Sequence, residues 1–119
     1  MEKRTAKSGY FFGERQELEL RYTYRPEFVP LLLDYLGAQA GMSMLELGCG
    51  SGFLSRLLAQ SVPKAQVVGL DSDPASLEIA RAIQKREGVG DALRFEQGDA
   101  QQLPFPDASF DLVTSHRLL

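Results

Sequence analysis

Apolar residues recur at helical spacing in one early segment of the chain. Between Pro26 and Gly37 they predict a helix over about residues 26–36, since proline suits a first helical turn and glycine commonly ends a helix. Pro30 falls within the first turns of this helix, where a proline adds strain.

A strand, a glycine-rich turn and a helix are predicted next. The apolar run 42–47 leads into residues 48–52, which hold three glycines, and this pattern predicts a strand that enters a tight turn. An apolar stripe then predicts a helix from Phe53 to about Ser61, which Pro63 stops.

The rest of the chain alternates strands with one further helix. Residues 67–70 form a continuous apolar run, the pattern of a strand covered on both faces. Asp73 and Pro74 begin a helix that reaches Gly88. Two more strands are marked by Leu93 and Phe95 and then by Phe110, Leu112 and Val113. The order β-α-β-α-β-loop-β predicts an α/β fold with a parallel sheet and right-handed crossovers.

The first 25 residues differ from the rest in composition. They hold six cations and five of the eleven aromatic residues of the chain. Because disordered tails are poor in aromatic residues, the segment is predicted to pack on something. Two domains are therefore predicted: an N-terminal arm over 1–25, acting as a lid or partner-binding segment or merely draping over the fold, and a folded domain over 26–119.

Overall composition excludes several classes of protein. With 13 basic and 16 acidic residues and a net charge of −3, the chain is a poor candidate for a nucleic-acid binder. It has neither an apolar run long enough to span a membrane nor a signal-peptide pattern, so a cytoplasmic location is expected. One cysteine and one histidine supply neither an internal disulfide nor a zinc cage, so no metal is expected.

The glycine turn has the chemistry of a nucleotide-type site. A strand, a glycine turn and a helix bring unpaired backbone N–H groups and a helix dipole together, and glycines let a ligand approach the main chain. Asp71, at the end of the second strand, can hold the two hydroxyls of a ribose. The three features together predict a nucleoside-bearing cofactor, although a plain tight turn is the alternative.

The residues around the turn narrow the choice of cofactor. Phe53 stands where a dinucleotide fingerprint needs its third glycine, which argues against NAD and FAD. No Lys-Ser or Lys-Thr pair follows the glycines, which excludes a P-loop for ATP. Glu46 would repel a diphosphate but attract a ligand with an ammonium group.

Three sequence motifs follow one another along the chain. They are Leu45-Glu46-Leu47-Gly48-Cys49-Gly50-Ser51-Gly52, Val67-Val68-Gly69-Leu70-Asp71, and Gly98-Asp99-Ala100-Gln101-Gln102-Leu103-Pro104-Phe105 with Phe110-Asp111-Leu112-Val113. In this order they resemble those of a family, the class I methyltransferases that use S-adenosylmethionine. The resemblance covers about residues 42–119 and is closest to the small-molecule branch that includes ubiquinone and menaquinone biosynthesis enzymes.

The resemblance implies that the turn holds the methionine end of S-adenosylmethionine, or of its product S-adenosylhomocysteine. The backbone of the turn, Gly48, Cys49, Gly50 and Gly52, would face the methionine moiety. Glu46 would help to hold its amino group, directly or through water. Cys49 is interpreted as a small turn residue and not a nucleophile.

The resemblance also implies a nucleoside-binding end. Asp71 would bind the ribose hydroxyls, while Asp99 and the Ala100 N–H would contact the adenine. Ser72 departs from the family, which usually has an apolar residue there to pack on the adenine.

The resemblance further implies that Ser115 and His116 would lie near the methionine end of the cofactor and the substrate entrance, with Ser115 among the cofactor-binding residues. His116 is a weak candidate for a general base. Two other acidic residues also have structural interpretations in place of ligand contact: Asp99 as a turn former, and Asp73 as a helix cap.

The implied function is methyl transfer to an unidentified small-molecule acceptor. The alternatives are a non-catalytic module that binds a nucleoside or S-adenosylmethionine and, less favoured, a nicotinamide-dependent oxidoreductase. The family's Rossmann-like sheet has seven strands, whereas this chain is expected to be truncated after about the fourth. All three predicted helices are expected on one sheet face. The other face is therefore expected to be exposed, and to be covered by self-association or by a missing C-terminal half.

Overall fold

Four parallel strands and three α-helices form the part of the chain that the structure, a computed structural model, describes, residues 25–115. Most of the predicted arm and residues 116–119, including His116, lie outside the described residues. After a 3-10 turn, Pro26–Phe28, the elements in chain order are α1 (Val29–Leu36), β1 (Ser43–Leu47), α2 (Phe53–Ser61), β2 (Gln66–Asp71), α3 (Pro74–Arg86), β3 (Leu93–Gln97) and β4 (Leu112–Ser115).

The strands form one parallel sheet in the order β3-β2-β1-β4. The chain therefore starts in the middle of the sheet, moves outward to β3 and returns to the other side of β1 as β4. Such a reversal leaves a crevice beside the carboxyl ends of the strands, where α/β proteins bind ligands. The α/β class and the parallel sheet predicted from the sequence are confirmed.

The helix ends follow the residues that predicted them. Helix α1 ends at Gly37, which adopts the left-handed conformation with φ of 75°, and Pro30 is accommodated in its first turn. Helix α3 begins after Asp73, whose carboxylate accepts a hydrogen bond of 3.0 Å from the Ala75 N–H. The interpretation of Asp73 as a helix cap is confirmed. No helix among residues 25–115 has both the length and the apolar character that crossing a membrane requires.

The main core lies between the sheet and the helices. It is built from apolar residues of β1, β2, β3, α2 and α3, and partly buried leucines of α1 pack against it. Helices α2 and α3 follow β1 and β2 in turn, so crossovers of the same hand place both on one face of the sheet. The buried members are Met44, Cys49, Leu54, Leu58, Val62, Ala65, Val67, Leu77, Ala80, Leu93 and Phe95.

The opposite face of the sheet is not left bare, which corrects the expectation from the sequence. Leu45, Val68 and Leu70 point to that face, yet at most 3% of their surface is exposed. Phe105 and Phe110, from the segment between β3 and β4, pack against them. Their rings meet edge to face, with centroids 5.0 Å apart.

Strand β4 begins later than the sequence suggested. Phe110 was expected in this strand, but the strand starts at Leu112 and Phe110 belongs to the covering segment. The backbone of Asp111 donates to the Ser43 carbonyl at 2.8 Å, and its carboxylate accepts from the Ser43 N–H at 2.9 Å. These two bonds anchor the segment to the start of β1.

We expect Phe110→Ala to lower the free energy of unfolding by about 2 kcal/mol, because the ring covers buried leucines but is itself only partly buried. Urea unfolding would measure the loss. Leu103→Ala is a matched control in the same segment, since Leu103 is 42% exposed. An equal loss in the two variants would contradict the covering role of Phe110.

Candidate functional site

A cleft of about 460 Å³ opens at the carboxyl ends of β1, β2 and β3. Residues that follow these three strands supply most of its wall, because the ends of parallel strands lie at the same edge of the sheet. The lining residues are Gly48, Leu70, Asp71, Ser72, Gly98, Asp99, Ala100 and Gln101.

The glycine turn between β1 and α2 forms one side of the site. Gly48, Gly50 and Gly52 all have positive φ, of 65°, 56° and 84°, a conformation that other residues rarely adopt. The N–H of Cys49 donates to the Leu70 carbonyl at 3.0 Å, which ties the turn to the end of β2.

Asp71 holds the turn and the start of the next loop at once. One carboxylate oxygen accepts from the Gly50 N–H at 2.8 Å, and the other accepts from the Asp73 N–H at 2.9 Å. An ionised carboxylate has about four lone-pair positions, so both oxygens can still accept a hydrogen bond from a ligand.

Asp99 closes the far side of the cleft as part of a turn. Its side chain accepts from the Gln101 N–H at 2.9 Å, and its carbonyl accepts from the Gln102 N–H at 3.0 Å. The turn-forming role considered for Asp99 is therefore present in the structure. Asp99 is nevertheless exposed and lines the cleft, so the same residue can also meet a ligand.

Glu46 lies beneath the turn and is 2% exposed. It alternates with Leu45 and Leu47 along β1, so it points to the helix side, where its Oε1 accepts from the Ser55 hydroxyl at 2.6 Å. Burial raises the pKa of Glu46 to about 8, and the Ser55 hydroxyl acts in the opposite direction. The contact of Glu46 with a ligand ammonium stays a prediction.

Cys49 is buried, with 6% of its surface exposed. Burial, together with the nearby Glu46 and Asp71, raises the pKa of its thiol. A thiol held in its neutral form is a poor nucleophile, which supports the interpretation of Cys49 as a turn residue.

The structure brings five of the proposed site residues to the cleft: Gly48, Asp71, Ser72, Asp99 and Ala100. Four others, Glu46, Cys49, Gly50 and Gly52, belong to the turn or lie beneath it and do not line the cleft. Ser115 ends β4 opposite Leu47, at the same edge of the sheet but outside the cleft wall. His116 lies outside the described residues.

Residues missed by sequence reasoning also shape the site. Leu70, Gly98 and Gln101 line the cleft, and a Cβ on Gly98 would lie 2.8 Å from Leu70 Cδ1. In the sequence, the glycine at position 98 was the feature that could have indicated this close contact. Within the turn, Ser51 carries the one buried side-chain polar atom of the described residues without a hydrogen-bond partner, its hydroxyl oxygen.

Comparison with known proteins points to one family. A family model described as a methyltransferase domain matches residues 38–119. The chain is 45% identical over 76 residues to a demethylmenaquinone methyltransferase of Thermus thermophilus, covering 64% of this chain and 34% of that protein. It is 42% identical over 76 residues to a malonyl-[acyl-carrier protein] O-methyltransferase of Legionella pneumophila, covering 64% of this chain and 26% of that protein.

A solved structure shows the same fold. The crystal structure of a putative S-adenosyl-L-methionine-dependent methyltransferase from Methanococcus maripaludis matches with a TM-score of 0.79 at 23% identity, covering 99% of this chain and 54% of that one. The chain thus spans about a third or less of the length of these two relatives and about half of this structure.

Proposed function

The chain belongs to the class I S-adenosylmethionine-dependent methyltransferase family, and we propose that its cleft binds S-adenosylmethionine for methyl transfer to a small-molecule acceptor. One observation carries the proposal: the glycine turn, the acid that ends β2 and the Asp99–Ala100 pair meet around one cleft, although they are far apart in sequence.

The residues present fit such a cofactor. Asp71 keeps acceptor capacity for ribose hydroxyls, and Asp99 has a second carboxylate oxygen for an exocyclic amine. The Ala100 N–H would supply the matching donor to an adenine ring nitrogen.

The charge of the cleft favours a cationic ligand over a diphosphate. Asp71 and Asp99 are both acidic, and none of the eight residues that line the cleft is basic. S-adenosylmethionine carries a positive sulfonium and an ammonium group, whereas NAD and ATP would bring negative phosphates toward two carboxylates. The nicotinamide alternative is disfavoured on this ground, in addition to Phe53 at the start of α2.

Little acid–base machinery is needed from the protein. When bound, the cofactor supplies a methyl group that its own positive sulfur activates. The residues of this chain would bind and orient the cofactor, which is the main requirement of an in-line displacement. Within the proposed site, Ser72 is exposed and presents a hydroxyl where an apolar side chain would pack on the adenine.

Calorimetric titration tests the proposal without knowledge of the acceptor. We expect S-adenosylhomocysteine to bind saturably, and NAD and ATP to give no saturable heat at the same concentration. Saturable binding of NAD alone would overturn the proposal. Binding of S-adenosylhomocysteine without methyl transfer across an acceptor panel would favour the non-catalytic module instead.

The proposal also covers strand β4, which lies at the edge of the described sheet. Val113 on the edge strand β4 is 50% exposed, and we propose that a second copy or a further polypeptide segment covers this strand in the working protein. Light scattering at micromolar concentration would detect the second copy.

A cytoplasmic location agrees with a lone, buried cysteine, and cell fractionation would test it.

A further inference from the structure

A buried hydrogen bond connects the strand before the glycine turn, β1, to the helix after it, α2. Glu46 lies two residues before the turn and Ser55 lies three residues after it, and their side chains meet at 2.6 Å. Ser55 is fully buried and Glu46 is 2% exposed. The distance is that of a strong hydrogen bond between a hydroxyl and a carboxyl group.

The neighbouring strand leaves room for this bond. Gly69 on β2 pairs with Glu46 in the sheet register, and a Cβ on Gly69 would lie 2.9 Å from the Ser55 hydroxyl oxygen. It would also lie 2.7 Å from the Phe95 ring. Three elements, β1, α2 and β2, are therefore shaped around one buried polar contact.

The backbone of the glycine turn is flexible unless other contacts constrain it. Its three glycines with positive φ make it conformationally free in the absence of other contacts. A ligand that binds to a mobile turn must first order it, which weakens binding. A bond that fixes the strand before the turn to the helix after it removes part of that freedom.

We propose that Ser55 is a positioning residue of the cofactor site, which acts by holding Glu46 and so fixing the glycine turn before the ligand arrives. The effect on the cofactor rests on the proposed function, whereas the effect on the turn does not. In this proposal Glu46 acts on the site from beneath the turn, and its direct contact with a ligand ammonium is the alternative that the variants below test.

Two substitutions separate this role from direct ligand binding. Ser55→Ala removes the donor, and we expect amide hydrogen exchange at Gly50, Ser51 and Gly52 to become about tenfold faster without ligand, because the turn opens more often. Glu46→Gln keeps an acceptor for Ser55, so the exchange rates should stay close to those of the unmodified chain.

Ser76→Ala is a matched control. Ser76 is the third residue of α3, as Ser55 is of α2, and its hydroxyl also donates to a carboxylate, that of Asp73, at 3.0 Å. The bond is exposed and involves neither Glu46 nor Ser55, so its loss should leave exchange at Gly50, Ser51 and Gly52 unchanged.

Binding of S-adenosylhomocysteine supplies the second readout. We expect about tenfold weaker binding by Ser55→Ala and a smaller loss for Glu46→Gln, which keeps an acceptor for Ser55. A large loss in Glu46→Gln with none in Ser55→Ala would show that Glu46 contacts the ligand and would overturn the proposal.

The carboxyl carbon resonance of Glu46 offers a direct signature of the bond. Its titration in the unmodified chain should report a pKa of about 8, which burial and the nearby Asp71 raise and which Ser55 and Arg56 lower. Ser55→Ala should move the pKa further up, because the lost hydrogen bond favoured the charged form.

Exchange rates measured without ligand distinguish failure of the positioning role from failure of the proposed function. If the unmodified chain fails to bind S-adenosylhomocysteine, the proposed function fails, while faster exchange in Ser55→Ala would still support the positioning role. Unchanged exchange at the turn in Ser55→Ala would overturn the positioning role whatever the ligand does.

Discussion

Gly52→Ala is expected to lower the free energy of unfolding by about 3 kcal/mol or more, a large share of the stability of a small domain. Two effects add at this position. Gly52 has a φ of 84°, which strains any other residue, and a Cβ there would lie 2.5 Å from Phe95 Cζ and 3.2 Å from Ala80 Cβ. Urea unfolding followed by circular dichroism would measure the loss.

Substitutions at two other glycines distinguish backbone strain from steric clash. Gly88 has a φ of 70° with nothing within 4 Å of its Cβ position, so Gly88→Ala should show backbone strain alone, about 1 kcal/mol. Gly90 has open space and no positive φ, so Gly90→Ala should be nearly neutral. Equal losses in Gly52→Ala and Gly88→Ala would mean that Phe95 yields at little cost.

Combining Gly52→Ala with Phe95→Leu tests the steric part directly. Leucine lacks the ring atoms nearest to the added methyl group, so the loss in the double variant should be smaller than the sum of the two single losses. Strictly additive losses would contradict a clash between the two residues.

Asp71→Ala is expected to weaken S-adenosylhomocysteine binding by about 1.5–3 kcal/mol, which corresponds to roughly 10- to 150-fold in dissociation constant. The substitution removes the proposed acceptor of the ribose hydroxyls. It also removes the acceptor for the Gly50 N–H, so the turn loses one of its anchors. Calorimetric titration would measure the change.

Asp71→Asn and an exposed acid provide the controls. Asn keeps one side-chain oxygen for a backbone N–H, so this variant should lose less stability than Asp71→Ala. Asp107 is exposed and lies outside the cleft, and Asp107→Ala should bind as the unmodified chain does. An unchanged dissociation constant in a folded Asp71→Ala variant would remove Asp71 from the ligand site.

Local sequence determined most of the secondary structure. Periodicity and end signals such as Gly37, Asp73 and Pro74 depend on residues close in the chain, so they predicted the three helices to within a few residues, although Pro26–Phe28 forms a 3-10 turn before α1. The parallel sheet followed from the alternation of strands and helices. The three motifs in order indicated the family by resemblance, and the family model that matches residues 38–119 confirms it.

Tertiary structure alone decided where several side chains point and what covers the sheet. Whether Glu46 faces a ligand or Ser55 depends on how α2 packs on β1, and no local pattern records that contact. Phe105 and Phe110 cover Leu45 and Leu70 because the segment before β4 folds back over the sheet. Such contacts join residues far apart in sequence, so only the packing of the whole domain sets them.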